Sequence, residues 1–418
     1  MKTVDKKLFS PINLGARPVR NRIVLPPLTR SRATEDGIPT DLMTVYYEQR
    51  AGAGLVVSEG TVISDQATAY PRVPGLYNEN QVEAWRPITA ALHRHGAVVF
   101  AQLWHVGRQS HSARQPDNLP PYAPSPVPIT GFSYRGPEGK VPYETPRELS
   151  VEQINEIVAQ YAAAAIRALD AGFDGVELHA ANGYLIDQFL NSSSNKRTDE
   201  YGGSLQNRLR FLSEVVEAVS SAISAEKVGV RFSPSSTWMD VFDDDKKGLF
   251  AAAISSISGK GLAYLHLVEP EIAGSSTIEA SADSVPSAYF SELFDGPVIV
   301  TGGHTADSAE LLLSTGAADM VGFGRLFMAN PDLPDRFVHG AELLEIDESS
   351  GRYDANESGY VDYPSLRDEE LWSGLREKIA ADEEFARGMF DQLRQQSTLE
   401  LHQDGKYYVY SQLAHLYE

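Results

Sequence analysis

"SVEQINEIVAQYAAAAIRALDAGFDGVELHAANGY", residues 150 to 184, contains a helix, its stop and a strand in one sweep, and its reading decides the fold. Apolar residues return every three or four positions between Val151 and Leu169, the period of an α-helix with one buried face. Ser150 stands at the N-cap, Gln153 at the capping-box position three residues on, and Gly172 where the helix stops. The next run, "GVELHAA" (175 to 181), is β-rich and too short for a buried helix, so it reads as a strand. Where that strand opens toward solvent it carries His179, Asn182 and Tyr184. His179 and Asn182 lie three residues apart, a spacing that one helical turn would align.

The same alternation extends in both directions. Before this unit come "NRIVLPPL" (21 to 28), "GLVVSEG" (54 to 60) and "AVVFAQLWH" (97 to 105). After it come "VGVRFSP" (228 to 234), "YLHLVEP" (264 to 270), "PVIVTGG" (297 to 303) and "MVGFGRL" (320 to 326), with helical patterns between. Eight strands alternating with helices imply a parallel sheet, and the number eight favours a closed (β/α)8 TIM barrel over an open doubly wound sheet. No GxGxxG follows the first strand, which also argues against a dinucleotide-binding open sheet. Three segments break the rhythm. Residues 1 to 20 suit a small cap under the barrel, and the Pro-, Gly- and Ser-rich residues 106 to 149 read as a long excursion after strand three. From residue 365 the composition turns acidic with helical spacing and then aromatic, so we divide the chain into a barrel at 1–364 and a helical extension at 365–418.

Charge narrows the partners. With 36 Lys and Arg against 57 Asp and Glu, the chain carries a formal −21 and would repel nucleic acid and anionic lipid, which leaves small molecules. The absence of cysteine removes thiolate metal ligands, disulfides and a cysteine nucleophile. No run reaches the length of a membrane span and the first residues lack an apolar leader core, so the expected location is the cytoplasm.

In a parallel barrel the active site forms at the C-terminal ends of the strands. Read as one set, those ends offer Pro26, Pro27, Leu28 and Thr29, then Gly60, then Gln102 and Trp104, then His179, Asn182 and Tyr184, then Arg231. The last two strands end in Gly302 and Gly303 and in Gly324 and Arg325, glycine turns that let a phosphate approach the backbone beside a cation able to pair with it. Each residue has a plainer role available: a core histidine, an arginine neutralising Glu177, a packing tryptophan, ordinary turns. Their co-location on one rim beside a phosphate cradle favours a site. That rim holds no evident general base and no metal-ligand cluster, so the chemistry is expected to come from a phosphorylated cofactor.

At these residues the chain resembles the Old Yellow Enzyme family of FMN-dependent ene-reductases, from about Leu8 to Tyr363. Four blocks resemble it in order and spacing: "LFSPINLGARPVRNRIVLPPLTRSRA", "AQLWHVGR", "GFDGVELHAANGYLIDQFLNSSSNKRTDEYGGSLQNR" and "GFGRLFMANPDLPDR". The resemblance implies non-covalent FMN, with NADPH or NADH as reductant. By position it implies that Pro26, Pro27, Leu28, Thr29, Gly60 and Gln102 surround the flavin ring, with Thr29 near the C4 carbonyl and Gln102 on the pyrimidine edge. It further implies that Arg231 stabilises charge gained on reduction and that Gly302, Gly303, Gly324 and Arg325 hold the phosphate. His179 and Asn182 would donate to the substrate's carbonyl oxygen, the β-carbon would take hydride from flavin N5, and Tyr184 would protonate the α-carbon. Trp104 and Tyr70 would shape the substrate pocket, and Tyr353 would sit over it.

Thr29 matches the branch of the family that lacks cysteine at this place, whereas residues 231 to 249 and 277 to 285 depart from the family pattern. Enones, nitroalkenes and maleimides are the expected substrates of a monomer or homodimer. Iron–sulfur relatives of the flavin barrel are disfavoured by the missing cysteines. The remaining alternative is a non-catalytic flavin-barrel scaffold that binds partners through its acidic extension.

Overall fold

The eight apolar runs become eight parallel strands in the computed structural model, which describes residues 6–136, 139–273, 276–281, 284–347 and 353–381 together with 388, 389, 391 and 395. They are β1 (Ile23–Leu25), β2 (Leu55–Val57), β3 (Val98–Trp104), β4 (Gly175–His179), β5 (Val228–Phe232), β6 (Tyr264–Val268), β7 (Val298–Thr301) and β8 (Met320–Gly322). Each pairs with the next in chain order, and β8 returns to β1 through Gly322 opposite Val24, so the sheet is closed. The expected (β/α)8 TIM barrel is the observed one.

Strand alternation stacks the barrel interior in layers. Phe100, Tyr264, Ile299 and Met320 share a buried apolar cluster with Leu14 and Val19 at the lower end. Leu14 and Val19 come from an antiparallel hairpin, Ile12–Leu14 with Arg17–Val19, which is the cap expected of the first twenty residues. Two residues further along the same strands the interior turns polar, with Gln102, His266 and Thr301 in place of Phe100, Tyr264 and Ile299. That change of chemistry over one pleat marks the floor of the site.

The helix Val151–Asp170 begins as the sequence requires: Ser150 Oγ accepts the Gln153 N–H at 3.2 Å, and the Gln153 side chain accepts the Ser150 N–H at 2.9 Å. Gly172 ends it at φ +93, and a side chain there would collide with Thr89 Oγ1. The long excursion is more ordered than its composition suggests. It contains the parallel pair Tyr122–Ala123 and Arg147–Glu148 and a hairpin of Phe132–Gly136 with Gly139–Pro142. Such short pieces carry no apolar alternation that a sequence reading could detect, and Phe132 is 52% exposed.

Of the extension, the helix Leu366–Ala381 is described, and its Trp372 and Leu375 pack on the core. Arg336, buried, fastens it by donating to Asp332 Oδ1 at 2.8 Å, the Pro364 carbonyl at 2.9 Å and Glu369 Oε1 at 2.6 Å. Residues 396–418, with the aromatic cluster, lie outside the described residues. Among the described residues no helix is long and apolar enough to cross a membrane, and no group of three or more His, Asp or Glu is placed to hold a metal ion.

Candidate active site

Above the polar layer lies a cavity of about 510 Å³, within the range of small-molecule and cofactor sites, and every residue that the sequence places on the rim lines it. Pro26, Pro27, Leu28 and Thr29 arrive from β1, Gly60 from beyond β2, Gln102 and Trp104 from β3, and Arg231 from β5. Gly302 and Gly303 follow β7, and Gly324 and Arg325 follow β8. Tyr353 reaches the same cavity from far along the chain, and its carbonyl is held by Arg72 Nη2 at 2.8 Å.

At the aromatic end Tyr184 sits edge-on to His179 and to Trp104, with ring centroids 4.8 and 4.9 Å apart, and Tyr70 stacks on Trp104 at 5.4 Å. The Tyr70 and Tyr184 hydroxyls are 3.3 Å apart. Burial, with Arg231 and His266 nearby, holds His179 well below the ordinary histidine range, so its ring is a neutral imidazole. His179 Nδ1 and Asn182 Oδ1 are buried without a hydrogen-bond partner, which is costly unless a ligand supplies one.

No helical turn brings His179 and Asn182 together. Asn182 is left-handed at φ +56 and Gly183 at φ +74, and asparagine is among the few residues with a side chain that accept this conformation readily. Four side chains bolt the turn. Ser233 Oγ accepts the Asn182 N–H at 2.8 Å, Gln109 Nε2 donates to the Asn182 carbonyl at 2.8 Å, Asp187 Oδ2 accepts the Gly183 N–H at 2.8 Å and Gln188 Nε2 donates to the Gly183 carbonyl at 2.7 Å.

The turn after Thr29 is tied from beneath by Glu59, fully buried, whose Oε2 accepts the N–H groups of Arg30 at 3.1 Å and of Ser31, left-handed at φ +58, at 3.2 Å. Burial outweighs these bonds and the Arg30 and Arg32 charges and raises the Glu59 pKa from 4.5 to about 7. Below pH 4.5 the carboxyl is neutral in folded and unfolded chains alike; above 7 the folded chain bears the cost of ionising it. Its contribution to stability is therefore lost as pH rises through this window. Glu59→Gln keeps an oxygen for both N–H groups and does not titrate. Its unfolding free energy relative to wild type should climb by up to about 3 kcal/mol between pH 5 and 8. Denaturant melts at four pH values read this directly, and a difference independent of pH would show that Glu59 titrates as an exposed carboxyl does.

Several lining residues escaped the sequence reading. Trp238 comes from the unfamiliar loop after β5, where Met239 and Asp240 are left-handed at φ +62 and +57. Arg108 Nη2 holds both their carbonyls, at 3.0 and 2.9 Å. His304 and Thr305 continue the glycine turn after β7, and Thr301 lies just before it. Below the cavity Glu177 and His266 are both fully buried and bonded to each other at 2.7 Å. Strand periodicity could have found them, since Glu177 lies two residues before His179 on one face of β4 and His266 is opposite Arg231 in the ladder.

These features fit a flavin nucleotide. Arg231 Nε is buried and unpartnered at one end of the cavity. At the other end Gly303 is left-handed at φ +68 with open space where a side chain would stand, and Arg325 reaches across to the Thr277 hydroxyl. Between them the walls are proline, leucine and glycine. A side chain at Gly60 would strike the Trp104 ring at 2.4 Å, and one at Gly322 would strike Thr301.

The sequence profile of the NADH:flavin oxidoreductase / NADH oxidase family matches residues 7–343. Over 364 residues the chain is 42% identical to 12-oxophytodienoate reductase 1 of Oryza sativa subsp. japonica, covering 86% of this chain and 93% of the relative. The solved structure of the old yellow enzyme homologue from Zymomonas mobilis aligns with a TM-score of 0.81 at 41% identity, covering 86% of this chain and 100% of the other. Morphinone reductase, solved in complex with tetrahydroNAD, aligns with a TM-score of 0.80 at 42% identity, covering 87% and 98%.

Proposed function

Because this chain belongs to the NADH:flavin oxidoreductase / NADH oxidase family, the Old Yellow Enzyme family, we propose that it reduces activated carbon–carbon double bonds with FMN as cofactor and NADH or NADPH as reductant. The observation that carries this reading is His179 Nδ1, buried and unpartnered, beside Asn182 and the Tyr184 phenol, in one cavity with Arg231 and the glycine turns.

Bound there, FMN would supply hydride transfer from the nicotinamide to the substrate's β-carbon. Pro26, Pro27, Leu28 and Gly60 would bracket the ring system, and Thr29 and Gln102 would meet its polar edge. Gln102 donates one amide N–H to Glu177 at 2.8 Å, which leaves its carbonyl oxygen free to accept from the cofactor. Gly302, Gly303, Gly324 and Arg325 would hold the phosphate. His179 as a neutral donor and Asn182 through its amide would bind the carbonyl or nitro oxygen, which gains charge as the β-carbon is reduced; fixed donors help most at such an atom. Tyr184 would hold the proton for the α-carbon. Trp104, Tyr70, Trp238 and Tyr353 would decide which enones, nitroalkenes and maleimides enter. The intact donor set speaks against a scaffold without chemistry.

With no cysteine in the chain and phosphate-type recognition at the rim, the cofactor should come away intact when the protein is precipitated by heat or acid. The purified protein should be yellow, and the released flavin should be FMN, unchanged by phosphodiesterase. A colour that stays with the pellet, or FAD in the supernatant, counts against the assignment. Turnover of a cyclic enone, a nitroalkene and a maleimide with each nicotinamide then tests the reaction.

A further inference from the structure

We infer that Glu177, held by His266, is a positioning residue that sets the reduction potential of the bound flavin: its carboxylate is the counter-charge that Arg231 carries into the site. The inference rests on the flavin reading above.

The geometry is a hydrogen-bonded chain in the floor of the cavity, with Gln102 and Thr301 at its ends lining the cavity and Glu177 and His266 beneath. Glu177 Oε1 accepts from Gln102 Nε2 at 2.8 Å, Glu177 Oε2 accepts from His266 Nδ1 at 2.7 Å, and His266 Nε2 meets Thr301 Oγ1 at 2.7 Å. Glu177 and His266 are 0% exposed, so water screens neither. Burial opposes ionisation of Glu177, but the hydrogen bonds from the His266 and Gln102 N–H groups and the charge of Arg231 outweigh it and hold the carboxyl below its ordinary range. Burial also holds His266 below its ordinary range, which leaves its Nδ1–H to donate and its Nε2 to accept from the Thr301 hydroxyl. The layer therefore contains one full negative charge, on Glu177, and one full positive charge, on Arg231.

That balance matters because the flavin gains one negative charge when it takes a hydride from the nicotinamide, which becomes a cation. A lone buried arginine would favour that change and raise the potential. A carboxylate beside it cancels part of the effect and keeps the reduced cofactor a willing hydride donor. A histidine–glutamate pair serving only to satisfy the core would need no such placement under Gln102 and Arg231.

Glu177→Gln is nearly isosteric and can still accept from Gln102 and hydrogen-bond to His266, but it carries no charge. With FMN bound, its potential measured against a reference dye should rise, moving the dye equilibrium toward reduced flavin roughly tenfold or more. The half-reactions should move in opposite directions, reduction by NAD(P)H faster and reoxidation by an enone slower, which general damage to the site would not produce. Glu177→Asp, which restores the charge, should bring the potential back toward wild type. Should Glu177→Gln fail to fold around its unpaired arginine, the same upward shift is read between Arg231→Met and the double variant Arg231→Met with Glu177→Gln. A yellow wild type with an unshifted potential in these variants, or both half-reactions slowed alike, overturns the inference alone. A wild type that holds no flavin overturns the reading of the site and this inference with it.

Discussion

Replacing His179 and Asn182 together by alanine is expected to slow reoxidation of the reduced flavin by cyclohexenone at least about a thousandfold, because a single fixed donor to a developing oxyanion is typically worth a hundredfold or more. Two such donors acting on one oxygen need not add fully. Reduction by NAD(P)H should fall much less. The nicotinamide amide can use the same pair, but its oxygen gains no negative charge as hydride departs, so the donors bind it without lowering that barrier. Anaerobic stopped flow separates the two steps, and equal slowing of both would remove the pair from the substrate's carbonyl. One correction must be built into the experiment. Asn182 holds a left-handed turn at φ +56, where alanine is strained by about 1–2 kcal/mol. Asn182→Gly removes the amide without that strain, so His179→Ala with Asn182→Gly should show the same kinetic loss with a smaller loss of stability.

Tyr184→Phe tests the second role, the proton. A positioned acid is commonly worth a hundredfold to ten-thousandfold, so enone reduction should drop by roughly that range while ring packing against His179 and Trp104 is kept. A nitroalkene behaves differently, since the nitronate left after hydride transfer is stable enough to leave and take its proton from water. The ratio of nitroalkene to enone rates should therefore rise by two orders of magnitude or more. If Tyr184 only packs the loop, both substrates lose activity together, stability falls and the ratio stays put. The Tyr70 hydroxyl lies 3.3 Å from that of Tyr184.

Much of this site was readable before any coordinates. A barrel has one rim, strands rise toward it with period two, and the residues closing eight apolar runs must therefore meet. Reading strand ends was enough to gather His179, Arg231, Trp104 and the glycine turns around one cavity, and the family resemblance attached a role to each. Reading only strand ends also set the boundary of what was seen. Glu177 and His266 lie on the same inward faces but one pleat lower, and Glu177 entered only as a charge for Arg231 to neutralise.

Sequence alone determined the order of helices and strands, the closure implied by eight of them, and the absence of cysteine chemistry, because these follow from local periodicity and composition. Only the tertiary structure could decide three further matters. Trp238 reaches the cavity because Arg108, from a distant excursion, grips two left-handed residues behind it. Asn182 faces the site because Gln109 and Ser233, each from another part of the chain, hold its turn. The charge of Arg231 is balanced because barrel closure sets Gln102 on one neighbour of β4 and, beyond β5, His266 within reach of Glu177. All three are contacts between residues far apart in the chain, and the physical reason they elude a linear reading is the same in each: a pairwise bond leaves no period in the sequence, only a polar residue whose partner is unknown until the sheet closes.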